Sequence, residues 1–210
     1  KRDPKRTKFL DRLSMAYEGI GDSKRELRDS AGAMSAYLEC LRLGDQLIKL
    51  NPNGLSEREG RATTLVKVGR IHRDLEDFDS ALPVFEEACA LLRGVLKESP
   101  EIRSVQQSLS ACLGDLGEAL HRKGRVAECQ QSYEDALVIA KRLAAASPTI
   151  PAQRQLLVCH NKLAQVLHTQ RRLEKGLVHY EASVALARGL VAREPRSPTW
   201  LLDLTRTLAT

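Results

Sequence analysis

The chain has 210 residues, 42% hydrophobic, 4% aromatic and 29% charged, with 33 Lys and Arg against 27 Asp and Glu for a formal charge of +6. It is long enough for an ordinary core or a short solenoid, and its Leu- and Ala-rich, aromatic-poor composition argues against a β-sandwich. Both signs of charge are interspersed, which favours a solvated surface over the clustered bases of a nucleic-acid footprint, and no apolar run approaches the ~20 residues that span a bilayer.

Pro4, Pro52, Pro100, Pro148 and Pro195 are separated by 48, 48, 48 and 47 residues, and other positions keep the same register. Tyr37, Phe85, Tyr133 and Tyr180 are equivalent, as are Gly21, Gly69 and Gly117, with Ala164 in the fourth copy. Self-similarity at such a period marks a repeat array. It predicts repeats at about 5–52, 53–100, 101–148 and 149–195 and a partial fifth at 196–210, together one array over 1–210.

In the first repeat, Phe9, Leu10, Leu13, Tyr17 and Ile20 predict one amphipathic helix, and Ala33, Tyr37, Leu41 and Ile48 a second, capped by Asp29 or Ser30. Asn51-Pro52-Asn53-Gly54 breaks the chain. The second repeat opens with Ser56 and Glu59 in a capping-box spacing, carries Leu65, Val68, His72 and Leu75, and starts its second helix at Asp77 or Asp79. Pro83 would lie in that helix's first turn, where a missing N–H costs nothing.

The third repeat is the template. Leu109, Leu113, Leu116 and Leu120 step by 4, 3 and 4 residues, and Val126, Cys129, Tyr133, Ala136, Leu137, Ala140, Leu143 and Ala144 continue the helical period after Gly124. Gly114, Gly117, Cys129 and Ala136 are small residues expected where helix backbones approach closely. The fourth repeat opens at Pro151, lacks the turn glycine, and places Gly176 where Cys129 stands. Trp200, Leu201 and Leu204 begin a ninth helical pattern.

Catalytic chemistry finds no purchase in these residues. There is no Gly-rich phosphate loop, no H-E-x-x-H and no G-x-S-x-G. Cys159 and His160 are adjacent, but consecutive helical residues point about 100° apart, so they form no nucleophile–base pair. The histidines at 72, 121, 160, 168 and 179 show no i,i+4 metal spacing, and neither a metal nor a cofactor is expected. Five cysteines, an odd number without CxxC spacing, suggest small reduced core residues and a cytoplasmic setting.

The stretch from Leu113 to Leu137, with Leu116-Gly117, Gly124, Glu128-Cys129, Tyr133 and Ala136-Leu137, resembles the tetratricopeptide repeat. That repeat is about 34 residues long, so the longer period here implies two longer helices. The resemblance implies an all-α, right-handed α-solenoid of helix-turn-helix repeats, non-catalytic, whose first helices line a concave groove for a protein or peptide. The groove positions it assigns are Met15, Glu18 and Asp22; Val66, Lys67, Arg70 and Arg73; Gly114, Asp115, Glu118, His121 and Arg122; Asn161, Lys162, Gln165 and His168. Acidic partner side chains would face Lys67, Arg70 and Lys162.

The long form resembles arrays in large bacterial multidomain signalling proteins. It implies a scaffold segment cut from a longer chain, or alternatively the regulatory half of an enzyme (a kinase, Toll/interleukin-receptor-like domain, caspase-like peptidase or ATPase) whose catalytic domain lies elsewhere. Nucleic-acid binding is a third, weaker reading, which steep salt dependence would reveal. The Lys/Asn clamp of chaperone-binding relatives is not reproduced. Trp200, Leu201 and Leu204 would need cover, from missing chain or from self-association.

Overall fold

A computed structural model describes residues 4–193. Eight helices and no strand form among them: α1 (Pro4–Glu26), α2 (Ser30–Leu50), α3 (Leu55–Asp74), α4 (Phe78–Glu98), α5 (Arg103–Arg122), α6 (Val126–Ala146), α7 (Ile150–Thr169) and α8 (Leu173–Arg193). The fold is all-α and built of helix-turn-helix repeats, two helices to each. Trp200, Leu201, Leu204 and the breaker around Pro195 lie outside the described residues. Internal contacts divide the chain into two units, Lys1–Ser108 and Leu109–Thr210.

Each repeat makes its hairpin in the same way. After the first helix one residue takes a left-handed backbone: Arg28 (φ 61°), Glu76 (φ 60°), Gly124 (φ 71°) and Arg171 (φ 60°). Its N–H and the next one turn back onto the helix, as Glu76 N to Arg73 O and Asp77 N to His72 O do, both at 2.9 Å. The same paired bonds occur at 28/29, 124/125 and 171/172. This is a Schellman closure, which satisfies carbonyls that the helix end would orphan. Only one copy uses glycine, although a side chain there is strained by roughly 1 kcal/mol.

In the first three repeats the aromatic of the second helix is held by the glycine of the first. Tyr37 and Phe85 are fully buried and Tyr133 is 3% exposed. A Cβ on Gly21 would collide with the Tyr37 ring; on Gly69 it would lie 2.6 Å from Phe85 Cε1, and on Gly117 2.5 Å from Tyr133 Cε1. The sequence pairing of glycine and aromatic is therefore one packing contact, and it explains why α1 runs straight through Gly21. In the fourth repeat Ala164 replaces the glycine, and Tyr180 is only half-buried. Beside it Gly176 passes close to α7, where a Cβ would meet Ala164 O at 3.4 Å.

Three local expectations are corrected. Gly54, with no side-chain bond, is the N-cap of α3, so Ser56 already lies inside the helix and forms no capping box; Asn51 Nδ2 instead donates to Glu57 Oε1 at 2.8 Å. The side chain of Asp77 caps α4, accepting from Ser80 N at 3.1 Å. That start puts Pro83 beyond the first turn, where its ring removes an intrahelical donor rather than fixing the helix start. Gly114 has open space around it and marks no close backbone approach.

Candidate binding surfaces

In the first unit, α3 carries Lys67, Arg70 and Arg73. Lys67 Nζ lies 2.7 Å from Glu18 Oε1 and 2.7 and 2.8 Å from the two Asp22 oxygens. The Tyr37 hydroxyl donates to Asp22 Oδ1 at 2.8 Å, and the ammonium stands 5.9 Å from the Tyr37 ring centre. Burial works to raise the Asp22 carboxyl, but its bonds from Lys67 and Tyr37 outweigh that and hold it below the usual range. Burial works to lower Lys67, and Asp22 and Glu18 reverse it. Burial first and Asp22 second raise the Tyr37 phenol, which stays a neutral donor. Arg73 pairs with Asp74 at 3.0 Å, and Asp74 also takes Arg25 at 2.8 Å. Arg70 is half-buried.

In the second unit, α5 carries Glu118, His121 and Arg122, and α7 carries Asn161, Lys162, Gln165 and His168. Lys162 Nζ lies 3.5 Å from Glu118 Oε2. This pair repeats the register of Lys67 with Asp22: a lysine of one repeat reaches an acid of the repeat before. Asn161 Oδ1 accepts from Ser183 Oγ at 3.0 Å. His121, Arg122, Gln165 and His168 are exposed. Val66 and Asp115, assigned to the same surface, are buried. The two lysines expected to attract acidic ligand groups thus have carboxylates of their own, and their charge is already balanced.

Two features escaped the sequence. His160 Nδ1 and His179 Nδ1 meet at 2.9 Å between α7 and α8. Burial, then the neighbouring charge, pushes His160 down to about 4, and burial likewise lowers His179. No i,i+4 spacing could reveal this, since the contact is between helices. The second feature is a pocket of about 600 Å³ in the first unit, between α1 and α3 above α2. Its position could have been suspected from Gly60, a glycine in mid-helix with no aromatic partner.

All five cysteines are buried thiols in no disulfide, and burial raises Cys129 and Cys159 to about 11. Among the described residues no three His, Cys, Asp or Glu side chains stand together as a metal would require. No described helix is long and apolar enough to cross a membrane.

A family profile described as the tetratricopeptide repeat matches residues 61–101, most of α3 and all of α4. These residues are a tetratricopeptide repeat. Solved structures extend the likeness of fold along the chain. The apo form of RapI matches with a TM-score of 0.67 at 12% identity, over 86% of this chain and 44% of that one, so the present chain spans less than half of RapI. BtubC (BKLC) from P. vanneervenii matches with a TM-score of 0.54 at 11% identity, covering 94% and 82%. A putative kinesin light chain with nearly identical TPR-like repeats from Podosopora anserina matches with a TM-score of 0.50 at 15% identity, covering 94% and 86%. No curated protein matches in sequence. The tetratricopeptide fold generally serves as a scaffold for protein–protein interaction.

Proposed function

We propose that this tetratricopeptide array is a non-catalytic docking segment of a larger cytoplasmic bacterial protein, binding a protein or peptide on the surface of its first helices. The observation that supports this most is the open surface those helices present. In the first unit it contains a pocket of about 600 Å³, a volume typical of ligand sites. In the second, His121, Arg122, Gln165 and His168 project from α5 and α7. Lys67 and Lys162 act here as struts between successive repeats, orienting Glu18, Asp22 and Glu118, while Arg70, Arg73 and Asn161 complete the surface. A partner's contacts therefore fall on the flanking exposed side chains rather than on the lysines.

Site-specific photocrosslinking tests the reading. A crosslinker at Met15, His121 or Gln165 on first helices should capture a defined partner in host cells, and one at Glu86 or Val138 on second helices should not. Capture confined to the second helices would overturn it.

A further inference from the structure

We propose that the pocket between α1 and α3 is a receptor for a basic peptide segment, seating an arginine or lysine side chain with its aliphatic stem on the floor and its charge between wall carboxylates. This rests on the reading of the array as a peptide-binding module and names the chemistry of one of its ligands.

The opening follows from one residue. A Cβ on Gly60 would have nothing within 4 Å, so this turn of α3 faces empty space. The register equivalent in the fourth repeat is Gln155, whose amide reaches across to Ser110 Oγ at 3.3 Å and to Cys159 Sγ at 3.7 Å, contacts that Gly60 has no side chain to make. Glycine inside a helix is unfavourable by about 1 kcal/mol relative to alanine, so helix formation alone does not explain Gly60.

The floor is apolar, formed by the buried Leu47 and the Cys40 thiol, whose sulfur is hydrogen-bonded to Ser14 Oγ (3.2 Å) and Thr64 Oγ1 (3.3 Å), and the exposed Met15 also lines the pocket. A long aliphatic stem packs well on such a surface. The walls carry Asp11, Glu18 and Glu57. The neighbouring bases are compensated: Arg61 is held by Asp45 at 2.8 Å and Glu87 at 2.5 Å, and Lys67 by Glu18 and Asp22. Lys8 is the only other base on the lining among the described residues. Among the described residues the lining carries three carboxylates, Asp11, Glu18 and Glu57, against two bases, Lys8 and Arg61, and Arg61 is already matched by two acids outside it, in a chain whose formal charge is +6. An acidic peptide or a nucleic-acid phosphate would meet repulsion here, and a guanidinium or ammonium would meet charge-assisted acceptors.

The test is fluorescence anisotropy with the purified chain and a fluorescein-labelled decapeptide of alternating arginine and leucine, beside its glutamate–leucine counterpart and spermine as competitor. The basic peptide should bind, weakening as salt rises, and the acidic peptide should not. Gly60→Gln should fill the pocket and Asp11→Lys should reverse a wall charge, each weakening the basic peptide by roughly tenfold or more. Gly60→Gln should also melt no lower than the parent, because it improves helix propensity, so lost binding cannot be lost folding. Undiminished binding by Gly60→Gln, or equal binding of the acidic peptide, overturns the pocket assignment even where first-helix crosslinking succeeds. Spermine binding that matches the peptide charge for charge would make the site a polycation site and overturn the peptide. If crosslinking finds no partner on the first helices while the peptide still obeys Gly60→Gln, the wider reading fails and the pocket's chemistry stands.

Discussion

The two units make the same hairpin with different side chains. In the first, the turns are polar clasps: Asp29 caps α2 and takes Lys24 at 3.1 Å, and Asp77 caps α4 and takes His72 at 3.2 Å. In the second, Leu120 and Leu167, both 3% exposed, occupy the places of Lys24 and His72, while Arg125 and Arg172 occupy those of the aspartates. Arg125 offers no side-chain cap and pairs with Glu128 at 2.6 Å. The backbone closure is common to all four turns, so the left-handed residue and its two hydrogen bonds define the hairpin. What differs is whether ions or buried leucines reinforce it, and therefore how each unit should respond to salt, pH and mutation.

The largest expected effects lie in what the units share. Phe85→Ala and Tyr133→Ala should each destabilise by about 3–5 kcal/mol in denaturant unfolding, because each empties a packed site against a glycine. Tyr180→Ala, half-exposed beside Ala164, should cost less than half as much. A Tyr180 cost equal to that of Tyr133 would show that the glycine contact is not what makes the aromatic matter.

Next comes a pH effect confined to the second unit. His160 is 7% exposed and pushed down to about 4, so the unfolded chain binds its proton near pH 6.5 while the fold refuses it. Stability should be full above pH 6.5 and fall by roughly 3 kcal/mol as pH drops towards 4. The lowered carboxyls of Asp22, Asp29, Asp74 and Asp77 lose their contribution only below their usual range near 3.8. In His160→Gln the slope between pH 6.5 and 4 should flatten; an unchanged slope would exclude the histidine pair as its source.

Smaller contrasts separate the clasps. Lys67→Met should cost about 1–2 kcal/mol, since it strands Asp22 and Glu18 in a half-buried network, and Lys162→Met, whose contact is 3.5 Å, under about 0.5 kcal/mol. Asp77→Ala should cost about 1 kcal/mol through its cap, with Arg125→Ala near zero. Glu76→Gly should stabilise by roughly 0.5 kcal/mol, by relieving the left-handed strain, and Gly124→Ala should do the reverse. Equal responses at 76 and 124 would mean that the turns are not governed by the same backbone requirement.

Much of the fold was legible because its causes are local and periodic. The proline spacing and the 4-3-4 leucine steps marked the repeats, and the co-registered glycines and aromatics marked their packing. Ser56 and Glu59 misled because a capping box is read from spacing alone, while the helix began one residue before Ser56 at Leu55, on Gly54. The partners of the surface cations lie about 45 residues away along the chain, at Asp22 for Lys67 and Glu118 for Lys162. No local pattern announces such a bond.

The sequence by itself determined the period, the all-α class and the helix pairs, since each follows from side-chain size and polarity at fixed spacing, while Phe9, Ile20 and Leu75, on the periodic apolar faces, stay exposed. Only the tertiary structure decided which charges cancel, which histidines meet, and that a pocket lies beside Gly60. Those outcomes depend on distances between helices. Such distances are set by the packing of many side chains together and by no single stretch of chain.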